Sequence, residues 1–209
     1  MKEIIIKINE QDRVELLTNQ YRLCMAGRDR DYEYHVIGFA EVDYYEQNLI
    51  HLEDLYQVFY CVNIKDRGIL FPPMTPRAIS PGQQIEISKM GELSSPTQSQ
   101  EAKDEIHIIN NYISVYPGIK RSFSLNNGTS QYIPTFIAPY AALVGRYSIK
   151  MLECVQIWFE QKAESGMVIL NNTRQIVGAG KTLAVEINFS ELQTQQAIVT
   201  YHNKNWIKK

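Results

Sequence analysis

Two stretches of this chain resemble each other at a distance of about 98 residues, and this similarity constrains the fold more than any other feature. Three blocks of the first stretch recur in the second in the same order. The matched blocks are residues 57–60 (QVFY) with 156–159 (QIWF), 68–70 (GIL) with 166–168 (GMV), and 79–87 (ISPGQQIEI) with 177–185 (VGAGKTLAV). A repeated unit predicts a shared architecture before it predicts a reaction. We therefore expect a duplicated unit whose two copies have a pseudo-two-fold relation.

Short segments of alternating or β-branched apolar residues, separated by Gly, Pro and Asn, predict a mainly β protein. The clearest strand is residues 56–64, where Tyr56 and Val58 share one face and Gln57 and Phe59 share the other. We predict antiparallel, β-sandwich-like units, packed as one body or as two tightly joined small domains.

The boundary between the two units is predicted in a polar stretch, residues 91–101, which has almost no apolar side chains. We assign residues 1–92 to a first β repeat, 93–105 to a connecting segment and 106–209 to a second β repeat, with one merged domain as the alternative. Weaker patterns predict short helices at residues 9–18, 49–55 and 100–112.

Composition excludes several classes of protein. The chain has 209 residues, 44% of them hydrophobic, which is enough for a core without disulfides, and its three cysteines show no metal-binding spacing. With 21 basic and 23 acidic residues and no basic cluster, nucleic acid is not an expected partner. There is no apolar run of transmembrane length and no recognisable signal peptide, so the expected location is the cytoplasm.

Two features that could indicate a phosphate site or a metal site do not meet the sequence requirements of such sites. Residues 178–182 (GAGKT) resemble the end of a phosphate-binding loop, but Gln175 stands where the first glycine is needed and a strand pattern follows instead of a helix. We interpret this segment as a turn. The four histidines have no ligand spacing, so we expect neither a metal nor a cofactor.

Aromatic residues supply the candidate ligand-binding positions. The chain contains 13 tyrosines, and exposed aromatic rings stack well on sugar rings. Period-2 spacing puts an amide beside an aromatic ring in each repeat, a pair that suits a neutral polar ligand if its face is open and a core if it is closed. The candidate ligand-binding residues are Gln57, Phe59, Gln156, Trp158, Tyr44 and Tyr45.

These features favour a non-catalytic binding protein for a glycan, a lipid headgroup or another neutral polar ligand, with a membrane-active toxin as a variant. The alternative is a self-assembling structural or storage protein, since a net charge of −2 permits homo-oligomers. A third hypothesis is an enzyme that uses carboxylates from an acidic region, namely Asp43, Glu46, Glu53 and Asp54.

The chain also resembles a group of small two-repeat β proteins from filamentous fungi and some bacteria, a group without an assigned function. The resemblance rests on residues 39–44 (FAEVDY), Asn48, residues 56–59 (YQVF) and residues 158–161 (WFEQ), and it spans most of residues 21 to 190. Phe39 and Leu52 stand where the group usually has Trp. The resemblance implies a compact two-repeat β protein and brings no catalytic or binding residues.

Overall fold

Strands dominate the structure, a computed structural model that describes residues 1–29, 36–169 and 180–208. The described residues form fifteen strands, one α-helix and one 3-10 helix (Phe189–Glu191). In chain order they are β1 (Lys2–Ile8), α1 (Glu10–Thr18), β2 (Tyr21–Asp29), β3 (Phe39–Glu41), β4 (Gln47–Cys61), β5 (Arg77–Ile79), β6 (Gln83–Ile87), β7 (Thr97–Gln98), β8 (Ile106–Asn110), β9 (Tyr116–Leu125), β10 (Gln131–Ile137), β11 (Gly145–Ile149), β12 (Met151–Gln161), β13 (Val185–Asn188), β14 (Gln196–His202) and β15 (Asn205–Lys208). The mainly β prediction is confirmed.

The strands form one large sheet and two smaller ones. The large sheet has the order β10-β9-β4-β1-β14-β15, and β5 also pairs with β4. The smaller sheets have the orders β11-β8-β6-β7 and β13-β12-β2-β3.

The large sheet packs against both smaller sheets, as in a β-sandwich. One apolar core joins Ile4 and Ile50 of the large sheet to Leu23 and Ile157 of the β13-β12-β2-β3 sheet. A second core joins the other end of the large sheet, through Val58 and Ile119, to the β11-β8-β6-β7 sheet. Burial of these side chains supplies the main stabilising free energy.

Two parallel strand pairs depart from the antiparallel prediction. β1 lies beside β14 in parallel, and β6 lies beside β8 in parallel, while the other pairs of named strands are antiparallel. Parallel neighbours need a long connection, and here the connection from β1 to β14 is most of the chain. Local sequence patterns carry no information about such distant partners, which is why the sequence missed them.

Strands from the ranges 1–92 and 106–209 share every sheet. β4 pairs with β9, β2 pairs with β12, and β6 pairs with β8, so each half completes the sheets of the other. Part of the range 93–105 contributes β7, which pairs with β6.

Of the three predicted helices, the first is confirmed. Helix α1 follows Asn9, whose side chain accepts a hydrogen bond from the backbone N–H of Gln11 (3.0 Å) and caps the helix. The helix predicted at residues 49–55 is wrong, since these residues belong to β4 and pair with β1. The helix at residues 100–112 is also wrong, because its apolar residues form β8.

Some predictions fall outside the described residues. These are residues 178 and 179 of the 178–182 turn, Gln175, and the first three residues of the 177–185 match. Among the described residues, no helix is long and apolar enough to cross a membrane.

Candidate ligand-binding cavity

A cavity of about 250 Å³ lies on the face of β4 that points away from the second apolar core. Phe59 borders the cavity with a side chain that is only 1% exposed, and loops from both halves of the chain contribute to the walls. The residues that line it are Gly38, Phe39, Phe59, Ile69, Leu70, Pro72, Lys120, Gln131, Tyr132, Ile133, Pro134, Ser165 and Gly166. Most of these are apolar or aromatic, which is the usual lining of a small-molecule site.

The position of Phe59 depends on a glycine in the neighbouring strand. Phe59 of β4 stands opposite Gly118 of β9, and its ring lies over that glycine. A Cβ atom at position 118 would lie 2.3 Å from Cζ of Phe59, which is far inside van der Waals contact. Glycine is therefore the residue that lets this ring lie flat on the sheet.

Gln57 lies two residues before Phe59 on the same face and is half-buried. It pairs with Ala78 of β5 on one side and with Lys120 of β9 on the other. Gln57 and Phe59, the pair predicted from the first of the two matched stretches, thus lie beside the cavity. Lys120 lies between Gln57 and Pro134 of the adjacent strand β10.

Polar groups line one part of the cavity. Lys120, Gln131 and the hydroxyl of Tyr132 supply donors, and the Tyr132 side chain is 37% exposed. Ser165 Oγ accepts a hydrogen bond from the backbone N–H of Ala40 (2.9 Å), which joins the loop after β12 to strand β3 at the border of the cavity.

The second-repeat pair, Gln156 and Trp158, lies in the interior instead. Trp158 is fully buried and donates its Nε1–H to Oε2 of Glu160 (2.7 Å). Arg67 pairs with the same buried carboxylate (2.5 Å), and Nζ of Lys181 lies 4.9 Å from the centre of the Trp158 ring. A ligand would reach this pair only by opening the structure.

Tyr44 and Tyr45 do not line the cavity. Tyr44 is buried, donates its hydroxyl to the backbone oxygen of Tyr21 (3.0 Å) and packs against Phe159. Burial raises the pKa of Tyr44, so its hydroxyl stays protonated. Tyr45 is exposed elsewhere on the surface.

Two of the candidate acids, Glu53 and Asp54, occupy an irregularity of β4 between Leu52 and Tyr56. Asp54 Oδ1 pairs with Arg121 (2.5 Å) and with Lys2 (3.1 Å), both of which are buried. Partial burial by itself raises the pKa of Asp54, but the charge of Arg121 and the contacts of Lys2 outweigh it and hold the pKa below its usual value.

This ion cluster neutralises buried cations, which is a structural role. Lys2 also pairs with Glu153 (2.8 Å), so the cluster links the large sheet to β12. The other two candidate acids, Asp43 and Glu46, are exposed and lie in the segment between β3 and β4. Among the described residues, no group of three or more His, Cys, Asp or Glu side chains is placed to hold a metal ion.

Sequence reasoning missed the contribution of β9 and β10 to the cavity. Lys120 and Tyr132 lie more than 60 residues beyond Gln57 and carry no motif. Only the register of β4 with β9, and of β9 with β10, brings them beside Phe59.

No protein-family model, no curated protein and no solved structure matches this chain.

Proposed function

We propose that this protein is a non-catalytic binding protein that holds one ring of a glycan, or a neutral polar ligand of similar size, in the cavity beside Phe59. The observation that carries the proposal is the cavity itself, with aromatic and apolar walls and a few polar groups at one part of its lining. A sugar ring has the matching chemistry, since it presents an apolar C–H face and hydroxyl groups at its edge.

The size of the cavity supports a ring-sized ligand. Sites for drug-sized molecules have volumes of about 300–1,000 Å³, and this cavity of about 250 Å³ lies just below that range. Pro134 is partly exposed and offers a flat apolar surface beside the buried ring of Phe59, while Lys120 and Gln131 offer donors to hydroxyl oxygens.

The test is a binding screen with monosaccharides and short oligosaccharides, followed by ligand-detected NMR. We expect Tyr132→Ala and Lys120→Gln to weaken the binding of any hit about 10-fold or more, because a hydrogen bond to a charged group contributes about 1.5–3 kcal/mol and each 1.4 kcal/mol is tenfold. Both residues are partly exposed, so the variants should fold.

Tyr45→Ala is the matched control, since Tyr45 is an exposed tyrosine away from the cavity. The proposal fails if the native protein binds no member of the panel. It also fails if Tyr45→Ala weakens binding as much as Tyr132→Ala does.

A second candidate function is docking on a lipid surface through apolar loop tips. Met90, Tyr140, Leu143 and Val144 are large apolar residues with exposed side chains, and Leu143 is 67% exposed. Buried Asn110 ties the loop that carries Tyr140, Leu143 and Val144 to the segment after β8, because its Nδ2 donates to the backbone oxygens of residues 113, 142 and 143. Apolar and aromatic side chains at fixed loop tips suit the interfacial layer of a bilayer.

Co-sedimentation with liposomes and dye release test this second candidate. We expect Leu143→Ser combined with Val144→Ser to abolish both signals, whereas Val42→Ser, at another exposed apolar position, leaves them unchanged. The native protein could instead fail to bind liposomes and form oligomers by light scattering. If the double variant then loses these oligomers, the apolar tips mediate self-assembly and not lipid docking.

We also propose that the two halves of the chain are copies of one unit that exchange strands. The parallel pair β1·β14 and the parallel pair β6·β8 support this, because each joins the start of one half to the end of the other. At the matched segments 68–70 and 166–168, Val168 N–H donates to Gly68 (2.9 Å) and Leu70 N–H donates to Gly166 (3.0 Å). Each of these bonds is the counterpart of the other under the repeat. Membership of the two-repeat group and a cytoplasmic location stay predictions.

A further inference from the structure

A second cavity, of about 310 Å³, lies near the first on the large sheet. Its lining combines apolar side chains with hydroxyl and amide groups and contains no charged residue. The residues are Leu55, Tyr56, Ala78, Ile79, Ser80, Gln83, Pro96 and Tyr132.

Tyr132 belongs to the lining of both cavities. The partly exposed ring of Tyr132 therefore lies between the two cavities, where a ligand that occupies both would contact it. Gln57 also lies between the two cavities, because it pairs with Ala78, which lines the second cavity, and with Lys120, which lines the first.

The register of the strands sets the length of this surface. Ala78, Gln57, Lys120 and Pro134 stand opposite one another on β5, β4, β9 and β10. Neighbouring strands lie about 4.8 Å apart, so the row spans roughly 14 Å. A single sugar ring does not reach from one end of it to the other.

From this placement, and on the basis of the proposed function above, we infer that the ligand is a linear, uncharged glycan of at least two rings. One ring occupies the cavity beside Phe59, the next occupies the cavity beside Tyr56, and the linkage passes Tyr132 and Gln57.

The chemistry of the surface favours an uncharged glycan. Gln131 lines the first cavity and Gln83 lines the second, while Gln57 lies in the row between Ala78 and Lys120. Lys120 is the one cation in the described lining of the two cavities. A polyanion would need a series of cations here. Burial raises the pKa of Tyr56 to about 12, so its hydroxyl stays neutral and donates to Asp54 (3.2 Å), which adds no charge to the second cavity.

The experiment measures affinity against chain length, using β-1,4-linked oligomers of glucose and of N-acetylglucosamine from one to four rings, by isothermal titration calorimetry. We expect the second ring to strengthen binding at least 10-fold. Ala78→Phe places an aromatic ring in the second cavity at an exposed strand position, where aromatic residues are well tolerated. It should reduce the affinity of the longer oligomers to that of the monosaccharide and leave the monosaccharide unaffected.

Ala102→Phe makes the same change at an exposed alanine outside both cavities and should have no effect. If all chain lengths bind equally and Ala78→Phe changes nothing, the inference is overturned and the single-ring proposal stands. If no sugar of any length binds, the proposed function itself has failed. Binding of an extended peptide across the same row, blocked by Ala78→Phe, would overturn the glycan assignment.

Discussion

At the residue scale, one aromatic ring on each long strand occupies a different environment. Both rings are buried, but Phe59 on β4 lies over Gly118 and borders a cavity, whereas Trp158 on β12 stands opposite Cys24 and donates to Glu160. Cys24 is itself buried, and burial raises the pKa of its thiol, so it acts as a small apolar neighbour and not as a nucleophile. The surroundings of each buried ring therefore depend on the residue across the ladder and on the loops that pack over it.

The contact of Phe59 with Gly118 makes a direct prediction. Gly118→Ala should lower the free energy of unfolding by about 1–3 kcal/mol, because the new methyl group overlaps the Phe59 ring and must displace it. Urea denaturation measures the change. Phe59→Leu in the same background should recover part of the loss, since it removes the ring that the methyl group meets. A Gly118→Ala protein as stable as the native one would contradict this account of the Phe59 contact.

At the element scale, β4 and β12 each contain an irregularity of register, at residues 52–56 and 151–155. Such irregularities bend a strand and turn side chains away from the regular alternation. Here they bring Asp54 and Glu153 to the same cation, Lys2 of β1. The acidic residues that drew attention as candidate catalysts thus join two long strands to the first strand of the chain.

The lowered pKa of Asp54 predicts how this cluster responds to pH. Since the folded pKa lies below the unfolded value of about 3.9, ionised Asp54 stabilises the fold above that pH, and this contribution is lost as the pH falls through the folded pKa. Asp54→Asn should therefore lower the urea midpoint at pH 7, and its difference from the native protein should shrink towards pH 3. Half of the Asp54 side chain is exposed, so solvent screening keeps the effect moderate.

Asp43→Asn is the control for this experiment, because Asp43 is an exposed aspartate outside the cluster. Equal losses for the two variants at pH 7 would argue against a stabilising role of the Asp54 cluster. A difference that persists unchanged at pH 3 would argue against ionisation as its cause.

At the scale of the whole molecule, the two halves depend on each other for their sheets. Without β9, β12 and β14, the first half keeps β1 and β4 but loses a neighbour on one side of each of them, and β2 loses its partner β12. The apolar cores join strands of both halves as well. Among the described residues, neither half forms either of these two cores by itself.

A split chain tests this dependence. We expect residues 1–100 and 101–209, produced separately, to lack the dispersed amide NMR spectrum of a folded protein, and to acquire it when the two are refolded together in equal amounts. The cut lies in a segment without a named strand, between β7 and β8. A folded monomer of either half alone would contradict the exchange of strands.

The sequence by itself determined two local features: the strand alternation that puts Gln57 beside Phe59, and the short helix predicted at residues 9–18, which is α1. Both features depend only on backbone geometry over a few consecutive residues, so the local sequence is enough to predict them. Only the tertiary structure decided which strands are neighbours, and hence that β4 is a strand through residues 49–55 and that β1 lies beside β14. It also decided that Phe59 borders a cavity while Trp158 is sealed, because exposure depends on the distant strands and loops that pack against each face.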